Sequence, residues 1–334
     1  MVSMKDVAAA CGVSIATVSK ALSNHRDIGE NTRKQIREMA DEMGYLPNQS
    51  ARYLKTNRSY NIGVLFDDAG GSGLTHDFFS GVLQSLKTTA ESKGYDVTFL
   101  NTMCSDMSYV ERSKYRGLDG IVVVCSLDFS NPKLQELLQS ERRVVTIDYI
   151  ADNRTAILSD NMDGMYRLMN YIFEQGHTKI AYIYGDGSRV TRQRLAAFYR
   201  SMEEHGISVP EGYVRASCYR DIEQAYSLTE ELLSLKDPPT CIVYPDDVAS
   251  FGGINAIKAR GLRIPEDISV AGYDGIRAAQ YEEPKLTTIR QDVAAMGKQA
   301  ALSLIEEIEK PMTSVPTIQT VQGILLPGQT VKKL

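Results

Sequence analysis

Charged side chains that could hold a polar ligand stand just after several short apolar runs of this sequence. Carboxylates accept hydrogen bonds and a guanidinium donates them in a fixed geometry, so such a set suits a ligand rich in hydroxyl groups. Paired carboxylates also serve glycoside hydrolysis, which makes an enzyme the alternative, although hydrogen bonding to a ligand explains the same residues. The candidates are Asp148, Arg192, Arg194, Asp246, Asp247 and Asp274.

A structural role competes with ligand binding at each aspartate, because an aspartate at a strand end is often the N-cap of the next helix. Asp247 stands directly ahead of the helical pattern at 248–261 and is predicted to be such a cap. For Asp274 and Arg194 the ligand role is favoured.

Metal or disulfide chemistry is not indicated. The four histidines form no H-x-x-x-H or H-E-x-x-H pair, and the five cysteines are scattered without a C-x-x-C pair. The segment Gly185-Asp186-Gly187 has Val190 where a dinucleotide fingerprint requires its third glycine. The sequence therefore predicts neither a metal nor a cofactor.

Length and charge bound the class of protein. The chain has 334 residues, 43% of them hydrophobic, which suffices for two or three packed domains. Its 37 Lys and Arg against 42 Asp and Glu give a net charge of −5, which excludes a generic polycation for nucleic acid or membrane surfaces. We find no apolar run of membrane-helix length and no signal-peptide pattern, and expect a soluble, cytosolic protein.

The pattern of the chain changes near residue 60. Residues 1–58 show helical patterns alone, whereas short apolar runs alternate with helical patterns in the remainder, as buried parallel strands with right-handed crossovers do. So many strands within residues 60–334 favour two sheets over one. The predicted strands are 61–66, 96–100, 120–124, 143–148, 179–184, 240–244 and 268–273, and the predicted helices are 79–94, 163–176, 192–206, 222–235, 248–261 and 293–310.

Residues 1–47 are predicted to form a small all-α unit. A helix at 4–10 and a second at 15–23 are joined by a turn in which Gly12 takes a positive φ, and Ser14 caps the second helix. A third helix at 30–43 closes a three-helix core. This order matches a helix-turn-helix, whose second helix enters the major groove of DNA.

The second helix has one inward and one outward face. Val18, Ala21 and Leu22 share the inward stripe, while Ile15 and Ala16 point outward at the helix start, where they have nothing in the protein to pack on. Thymine methyl groups are suitable partners for them, and Lys20 could reach a guanine edge or a phosphate. The residues suited to phosphate oxygens are Ser14, Thr17, Asn24, Thr32 and Tyr45.

The segment Lys5–Asn24, KDVAAACGVSIATVSKALSN, resembles the helix-turn-helix signature of the lactose/galactose repressor family of transcription regulators. The resemblance continues through Gly44–Asn48 and Ser50–Leu54, which match the hinge of that family, and it covers the whole chain. It implies that the DNA-binding interpretation is correct.

The resemblance also implies individual roles in DNA binding. Ile15, Ala16 and Lys20 match the base-reading positions of the recognition helix. Residues 48–59 would form a hinge helix and linker that fold on DNA, and Asn48 would contact the DNA backbone. Leu54 would be the leucine wedged into the minor groove at the operator centre, where an inserted apolar side chain unstacks a base step and bends the duplex.

For residues 60–334 the resemblance implies an α/β core similar to periplasmic sugar-binding proteins, with two Rossmann-like parallel sheets in two lobes and the effector between them. The first lobe would comprise 60–158 and 288–319, and the second 159–287 and 320–334. Ligands of open parallel sheets bind at the carboxyl ends of strands. The positions that match effector contacts of the family are Asp148, Arg194, Asp246 and Asp274, with Tyr219 and Phe78 or Phe79 as walls, of which one phenylalanine is expected in the core.

The chemistry of the effector is less defined than its location. Asp246 stands where the family commonly has Asn, and Val293 stands where some sugar-binding members have an aromatic residue. Three aspartates against one arginine should repel phosphate or carboxylate ligands unless one carboxyl is protonated. The sequence therefore predicts a neutral polyhydroxyl effector, a sugar or small oligosaccharide.

One helix-turn-helix of this size reads a half-site, which predicts a homodimer on a pseudo-palindromic double-stranded DNA operator, with 67–110 and 280–283 at the interface. The predicted function is a ligand-responsive repressor of carbohydrate utilisation genes, in which the effector changes DNA affinity. A purine or nucleoside effector, a co-regulator protein and a stand-alone sugar-binding protein are the alternatives. No catalytic activity and no membrane association are expected.

Overall fold

A computed structural model describes residues 2–22, 27–45, 58–67, 73–100, 106–125 and 131–334. The chain divides into two compact units, Met1–Ser59 and Tyr60–Leu334, and the division falls where the strand pattern of the sequence begins. Within the described ranges, no helix combines the length and apolar character needed to span a bilayer.

The first unit is a three-helix bundle of α1 (Met4–Cys11), α2 (Ile15–Leu22) and α3 (Glu30–Glu42). Ser3 begins α1 with a capping box, accepting from the Asp6 backbone while the Asp6 carboxylate accepts from the Ser3 N–H. Gly12 ends α1 at a φ of 65°, the left-handed conformation predicted for the turn. The hydroxyl of Ser14 accepts a hydrogen bond from the Thr17 N–H at 3.1 Å, which confirms its capping of α2.

The core of the first unit joins all three helices. Val7 of α1, Val18 and Ala21 of α2, and Ile36 and Ala40 of α3 are each at most 3% exposed. Burying such aliphatic side chains contributes about 1.5–3 kcal/mol each for the larger ones, which holds together helices too short to be stable alone.

The second unit begins with a βα-rich segment. Its elements in chain order are β1 (Asn61–Asp67), a 3-10 turn (Gly73–Thr75), α4 (Asp77–Ser92), β2 (Asp96–Phe99), α5 (Tyr109–Tyr115), β3 (Gly120–Cys125), α6 (Pro132–Gln139), β4 (Val144–Ile147) and β5 (Thr155–Ser159).

A second series of strands and helices follows, after which the chain returns to the first sheet with β11. The elements are α7 (Asn161–Glu174), β6 (Ile180–Tyr184), α8 (Arg189–Glu204), β7 (Val214–Ala216), α9 (Ile222–Leu233), β8 (Cys241–Val243), α10 (Asp247–Ala259), β9 (Ser269–Asp274), α11 (Arg277–Tyr281), β10 (Thr287–Arg290), α12 (Val293–Glu309), β11 (Ile318–Val321) and β12 (Ile324–Leu326).

These strands form two six-stranded sheets, in the orders β11-β5-β4-β3-β1-β2 and β12-β10-β9-β8-β6-β7. All neighbours are parallel except β10 and β12. Helices cover both faces of each sheet: α4 and α12 pack on one face of the first sheet and α5 and α6 on the other. Both predictions, parallel βα packing and two sheets, are confirmed.

The chain passes between the lobes three times, after β5, after β10 and after β11. The second and third passages differ from the expected boundaries of 288 and 319. Thr288 pairs with Gly272 in the second sheet, so the passage follows Arg290, whereas Thr320 still pairs with Leu158 in the first sheet. Strand pairing over the whole of β10 and β11 is the reason for both shifts.

Candidate functional site

The exposed face of α2 is the candidate DNA-binding surface. Ile15 is 48% exposed and Ala16 is exposed beside it, while Val18 and Ala21 are buried, as predicted from the helical spacing. Ser14 and Thr17 are joined by a hydroxyl hydrogen bond of 2.9 Å at the helix start. The helix therefore presents an apolar tip flanked by hydroxyl groups.

Lys20 is ion-paired within the unit. Its Nζ lies 2.5 Å from Oδ2 of Asp27, and the two side chains are 46% and 49% exposed. An exposed pair of this kind contributes about 0–1 kcal/mol, so DNA can displace Asp27 at small cost. Asp27, ahead of α3, has no motif that would have marked it in the sequence.

Tyr45 differs from the expectation of a phosphate contact. The side chain is 8% exposed and packs in the core of the first unit, and its N–H is bonded to the Ala40 carbonyl at 2.8 Å. Thr32 is half-buried in the first turn of α3. Asn24, Asn48, Leu54 and nearly all of the predicted hinge at 48–59 lie outside the described residues.

Strained backbone marks the carboxyl ends of the two sheets. Asp148 after β4 has a φ of 52°, Asp274 at the end of β9 a φ of 104°, and Arg220 after β7 a φ of 62°. Non-glycine residues in this region cost about 1–3 kcal/mol each, and they concentrate at ligand sites. These three residues border the space between the two lobes, the cleft.

A chain of hydrogen bonds connects the two sheets across the cleft. The Ser159 N–H donates to Oδ1 of Asp148 at 2.7 Å, the Ser159 hydroxyl donates to Oε1 of Gln291, and Nε2 of Gln291 donates to Oδ1 of Asp274 at 2.7 Å. Ser159 and Gln291 are 6% and 7% exposed. Sequence reasoning missed both, because their pairing depends on the interlobe passages.

The environment weakens the acidity of both linked aspartates. Burial raises the pKa of Asp274 to about 7, because loss of hydration outweighs the nearby charge of Arg194 and the Gln291 hydrogen bond. Burial likewise raises the pKa of Asp148 to about 6, against the Ser159 N–H and the charges of Arg194 and Arg189. Each carboxyl is therefore protonated in part near neutral pH.

Arg194 is a buried anchor. Its side chain is 3% exposed, with Nε donating to Asn161 Oδ1 at 2.8 Å and Nη1 donating to the Pro245 carbonyl at 2.9 Å. Its guanidinium carbon lies 3.5 Å from the centre of the Tyr273 ring, and Nη2 is 3.8 Å from Asp274. In this conformation Arg194 positions the floor of the cleft and offers little free surface.

Asp246, and not Asp247, is the N-cap of α10. Oδ1 of Asp246 accepts from the Ala249 N–H at 2.8 Å and Oδ2 from the Arg220 N–H at 2.7 Å. Asp247 already lies in the helix and is fully buried, so the prediction of a cap there was wrong. Its carboxylate instead accepts from the Ile276 N–H and the Thr288 hydroxyl, which ties α10 to the start of α11 and to β10.

Two of the three predicted wall residues, Tyr219 and Phe79, are half-buried. The Tyr219 hydroxyl lies 2.9 Å from Thr191 Oγ1, and its ring covers Gly185, where a Cβ would stand 2.4 Å from ring carbon Cε2. Phe79 is half-buried, whereas Phe78, 9% exposed, belongs to the core of the first sheet. Phe78 is therefore the core residue of the pair.

Arg220 is a cleft residue that sequence reasoning missed. It follows Tyr219 in the loop after β7, and its Nη1 lies 3.8 Å from Oδ2 of Asp77 at the start of α4. Since α4 belongs to the first lobe and β7 to the second, this pair spans the cleft. The left-handed φ of Arg220 has no sequence signal, because arginine rarely adopts it.

Comparison with known proteins assigns the family. A model described as bacterial regulatory proteins, lacI family, matches residues 3–48, and one described as a periplasmic binding protein-like domain matches residues 169–331. The chain is 33% identical over 315 residues to the probable HTH-type transcriptional repressor ExuR of Bacillus subtilis (strain 168), covering 92% of this chain and 93% of that protein. The chain belongs to the LacI family.

Other LacI-family proteins agree with this assignment. The HTH-type transcriptional repressor PurR of Vibrio vulnificus (strain CMCP6) is 32% identical over 317 residues, with 92% of each chain covered. The crystal structure of the Lac repressor dimer bound to operator and the anti-inducer ONPF is 25% identical, covers 99% of both chains and has a TM-score of 0.78. The chain is a LacI-family transcriptional repressor.

The fold of the whole chain also matches the transcriptional regulator CelR-cellobiose complex, at 21% identity and a TM-score of 0.70, with 99% of this chain and 100% of that one covered. The predicted fold class, a helix-turn-helix unit with a two-lobed core of parallel sheets, is thus confirmed.

Proposed function

We propose that this LacI-family repressor is a homodimer whose operator affinity is set by a small polyhydroxyl effector bound in the cleft. The observation that carries the proposal is the interlobe hydrogen-bond chain from Asp148 through Ser159 and Gln291 to Asp274. A ligand that exchanges hydrogen bonds with this chain binds one arrangement of the lobes better than another. Such differential binding is what couples an effector to DNA affinity, with typical coupling of about 1–3 kcal/mol.

The chemistry of the cleft favours a ligand with several hydroxyl groups. Carboxyl groups of Asp148 and Asp274 can accept hydrogen bonds and, being protonated in part, can also donate them. Tyr219 and Phe79 supply apolar walls. A purine or nucleoside is the second candidate, because the same two rings could stack on a heterocycle; a co-regulator protein is not favoured by any feature of the cleft.

The DNA-binding part of the proposal assigns α2 to the major groove. Ile15 and Ala16 would contact thymine methyl groups, and Lys20 would leave Asp27 for a base edge or a phosphate. Ser14, which caps the helix, would also face a phosphate, where the helix N-terminus favours an anion. The wedge role of Leu54 and the phosphate contacts of Asn24 and Asn48 remain part of the proposal.

Exposed apolar side chains support a dimer. On the second lobe, Ile222 and Tyr226 of α9 are 42% and 38% exposed, and Tyr281 of α11 is 85% exposed. On the first lobe, Phe99 at the end of edge strand β2 is 51% exposed. A half-site per helix-turn-helix requires two copies, and the similar Lac repressor was crystallised as a dimer on operator. Since a repressor binds its operator where the genes are, the proposal also places the protein in the cytoplasm.

Two measurements test the proposal separately. Selection of genomic DNA fragments by the purified full chain should enrich an inverted repeat, and Ile15→Ala should weaken binding to that repeat with an unchanged circular dichroism spectrum. A thermal-shift screen against sugars, sugar acids, sugar phosphates and nucleosides should give a hit that also changes operator affinity. At a hundredfold excess over Kd, binding adds about 2.7 kcal/mol of stability.

The two parts of the proposal fail differently. Enrichment of no inverted repeat would contradict dimeric operator recognition. A shift with nucleosides alone would replace the polyhydroxyl effector by the second candidate and leave the repressor function intact.

A further inference from the structure

We propose that the effector carries an anionic group, a carboxylate or a phosphate, and that Arg220 binds this group. The inference rests on the proposed function, because it assumes an effector in the cleft. It replaces the expectation of a neutral sugar, which treated three cleft aspartates as free negative charges.

The protein itself uses most of the carboxylate oxygens in the cleft. Asp246 accepts a backbone N–H at each oxygen and is 1% exposed. Asp148 accepts the Ser159 N–H, and Asp274 accepts the Gln291 amide. Four of the six oxygens are therefore engaged, and burial raises the pKa of Asp148 and Asp274 to about 6 and about 7, so the acidic surface facing a ligand is small.

The guanidinium of Arg220 is available, unlike that of Arg194. Arg194 donates to two protein acceptors and is 3% exposed. The Arg220 side chain is 22% exposed and its guanidinium donates no hydrogen bond within the described residues. Its nearest carboxylate, Asp77, is 3.8 Å away, beyond hydrogen-bond range, and is 51% exposed. A carboxylate or phosphate could bind the planar donors of Arg220 in bidentate fashion and outcompete Asp77.

The backbone is arranged to place Arg220 where it is. A φ of 62° is unfavourable for arginine, and the Asp246 carboxylate stabilises it by accepting the Arg220 N–H at 2.7 Å while capping α10 with its other oxygen. An asparagine at 246 in the same orientation could accept only one of these two hydrogen bonds, because its NH2 group would face the other N–H donor. This double use gives a physical reason for an aspartate at 246.

A second cation, Arg189, belongs to the same lobe as Arg220. Arg189, the first residue of α8, is exposed and close enough to Asp148 to lower its pKa. A cation at a helix N-terminus is disfavoured by the helix dipole, so its presence has no stabilising explanation within α8. The carboxylate of Asp186 accepts the Ser188 N–H at 3.2 Å. The second lobe therefore brings two arginines, Arg189 and Arg220, to the cleft.

The test compares sugars that differ in one group. Binding of glucose, glucuronate and glucose 6-phosphate, and of the matching galactose set, is measured by isothermal titration with the full chain at 0.05 and 0.15 M salt. We expect an acidic member of a set to bind at least tenfold more tightly than its neutral member. The carboxylate and phosphate arms identify which anion is recognised.

Three variants localise the effect. Arg220→Gln should remove at least tenfold of the affinity for the acidic sugar and leave the neutral member within twofold, whereas Asp77→Asn should strengthen acidic binding several-fold. Arg220→Lys, which keeps a charge, should lose less than Arg220→Gln. Arg200→Gln, an exposed arginine on α8 paired with Glu204, is the matched control and should change nothing.

Several outcomes would overturn the proposal. Tighter binding of a neutral sugar than of its acidic partners would do so while supporting the sugar-responsive function. Equal losses of affinity for the acidic and the neutral sugar in Arg220→Gln would also count against it. So would the absence of binding by every acidic probe at a concentration on the order of 20 mM, which exceeds the Kd of a weak site. Binding of nucleosides alone would contradict the proposed effector class itself.

Discussion

Replacement of Asp274 by asparagine should make the second unit more stable at neutral pH and leave it nearly unchanged at low pH. The carboxyl of Asp274 is 15% exposed, and its burial raises the pKa from 3.8 to about 7. Because the folded state holds the proton more tightly than the unfolded state, protonation of Asp274 favours folding. This contribution is complete below pH 3.8 and is lost as the pH rises to about 7.

The size of the effect follows from the pKa difference. A shift from 3.8 to about 7 corresponds to about 4 kcal/mol of folding free energy, of which about 2 kcal/mol is lost between pH 5 and pH 7. Asparagine cannot ionise, yet its oxygen can still accept the Gln291 amide. The stability of Asp274→Asn minus that of the wild type should therefore increase by about 2 kcal/mol over this interval.

Urea denaturation of the full chain at several pH values between 5 and 8 measures this difference. The chain has no tryptophan, so far-UV circular dichroism is the suitable probe, and the transition of the second unit is followed. Asp267→Asn is an opposite-sign control, because the Arg263 side chain lowers the pKa of Asp267 to about 2. That variant should lose stability at neutral pH. A pH-independent difference for Asp274→Asn would refute the reasoning.

Three further predictions concern binding and packing. Arg194→Met should abolish the effector response while operator binding persists, as measured by anisotropy of labelled operator with and without effector; a response at the same effector concentration would contradict the assignment of the cleft floor. Leu54→Ala should weaken operator binding at least tenfold with unchanged effector affinity in calorimetry, and equal operator affinity would exclude the wedge role. Gly164→Ala should destabilise the second lobe by about 1–3 kcal/mol in urea denaturation, because the added Cβ would stand 2.1 Å from the Tyr273 hydroxyl. Unchanged stability would show that Tyr273 moves aside without cost.

Much of the fold was predictable because its signals are local. Each of the seven predicted strands is present in the structure, since a buried parallel strand is a short continuous apolar run. The turn at Gly12 and the cap at Ser14 likewise depend on residues within three or four positions. Five strands, β5, β7, β10, β11 and β12, were missed, because these short segments become strands only through pairing with neighbours elsewhere in the chain.

The candidate site was predictable in part. Asp148 and Asp274 were found because the carboxyl ends of parallel strands must meet at one edge of a sheet. Gln291 and Arg220 were missed, because each acquires its role from a partner on another element: Asp274 for Gln291 and Asp246 for Arg220.

The sequence by itself determined the alternation of strands and helices after residue 60, the helix-turn-helix with its exposed Ile15, and the family. The tertiary structure alone decided the electrostatics of the cleft. The cap of α10 is Asp246 and not its neighbour Asp247. This choice depends on Arg220, Ile276 and Thr288, which approach the two carboxylates from other elements. A carboxylate in a sequence is a charge, whereas in the folded chain its burial and its donors decide how much of that charge a ligand meets.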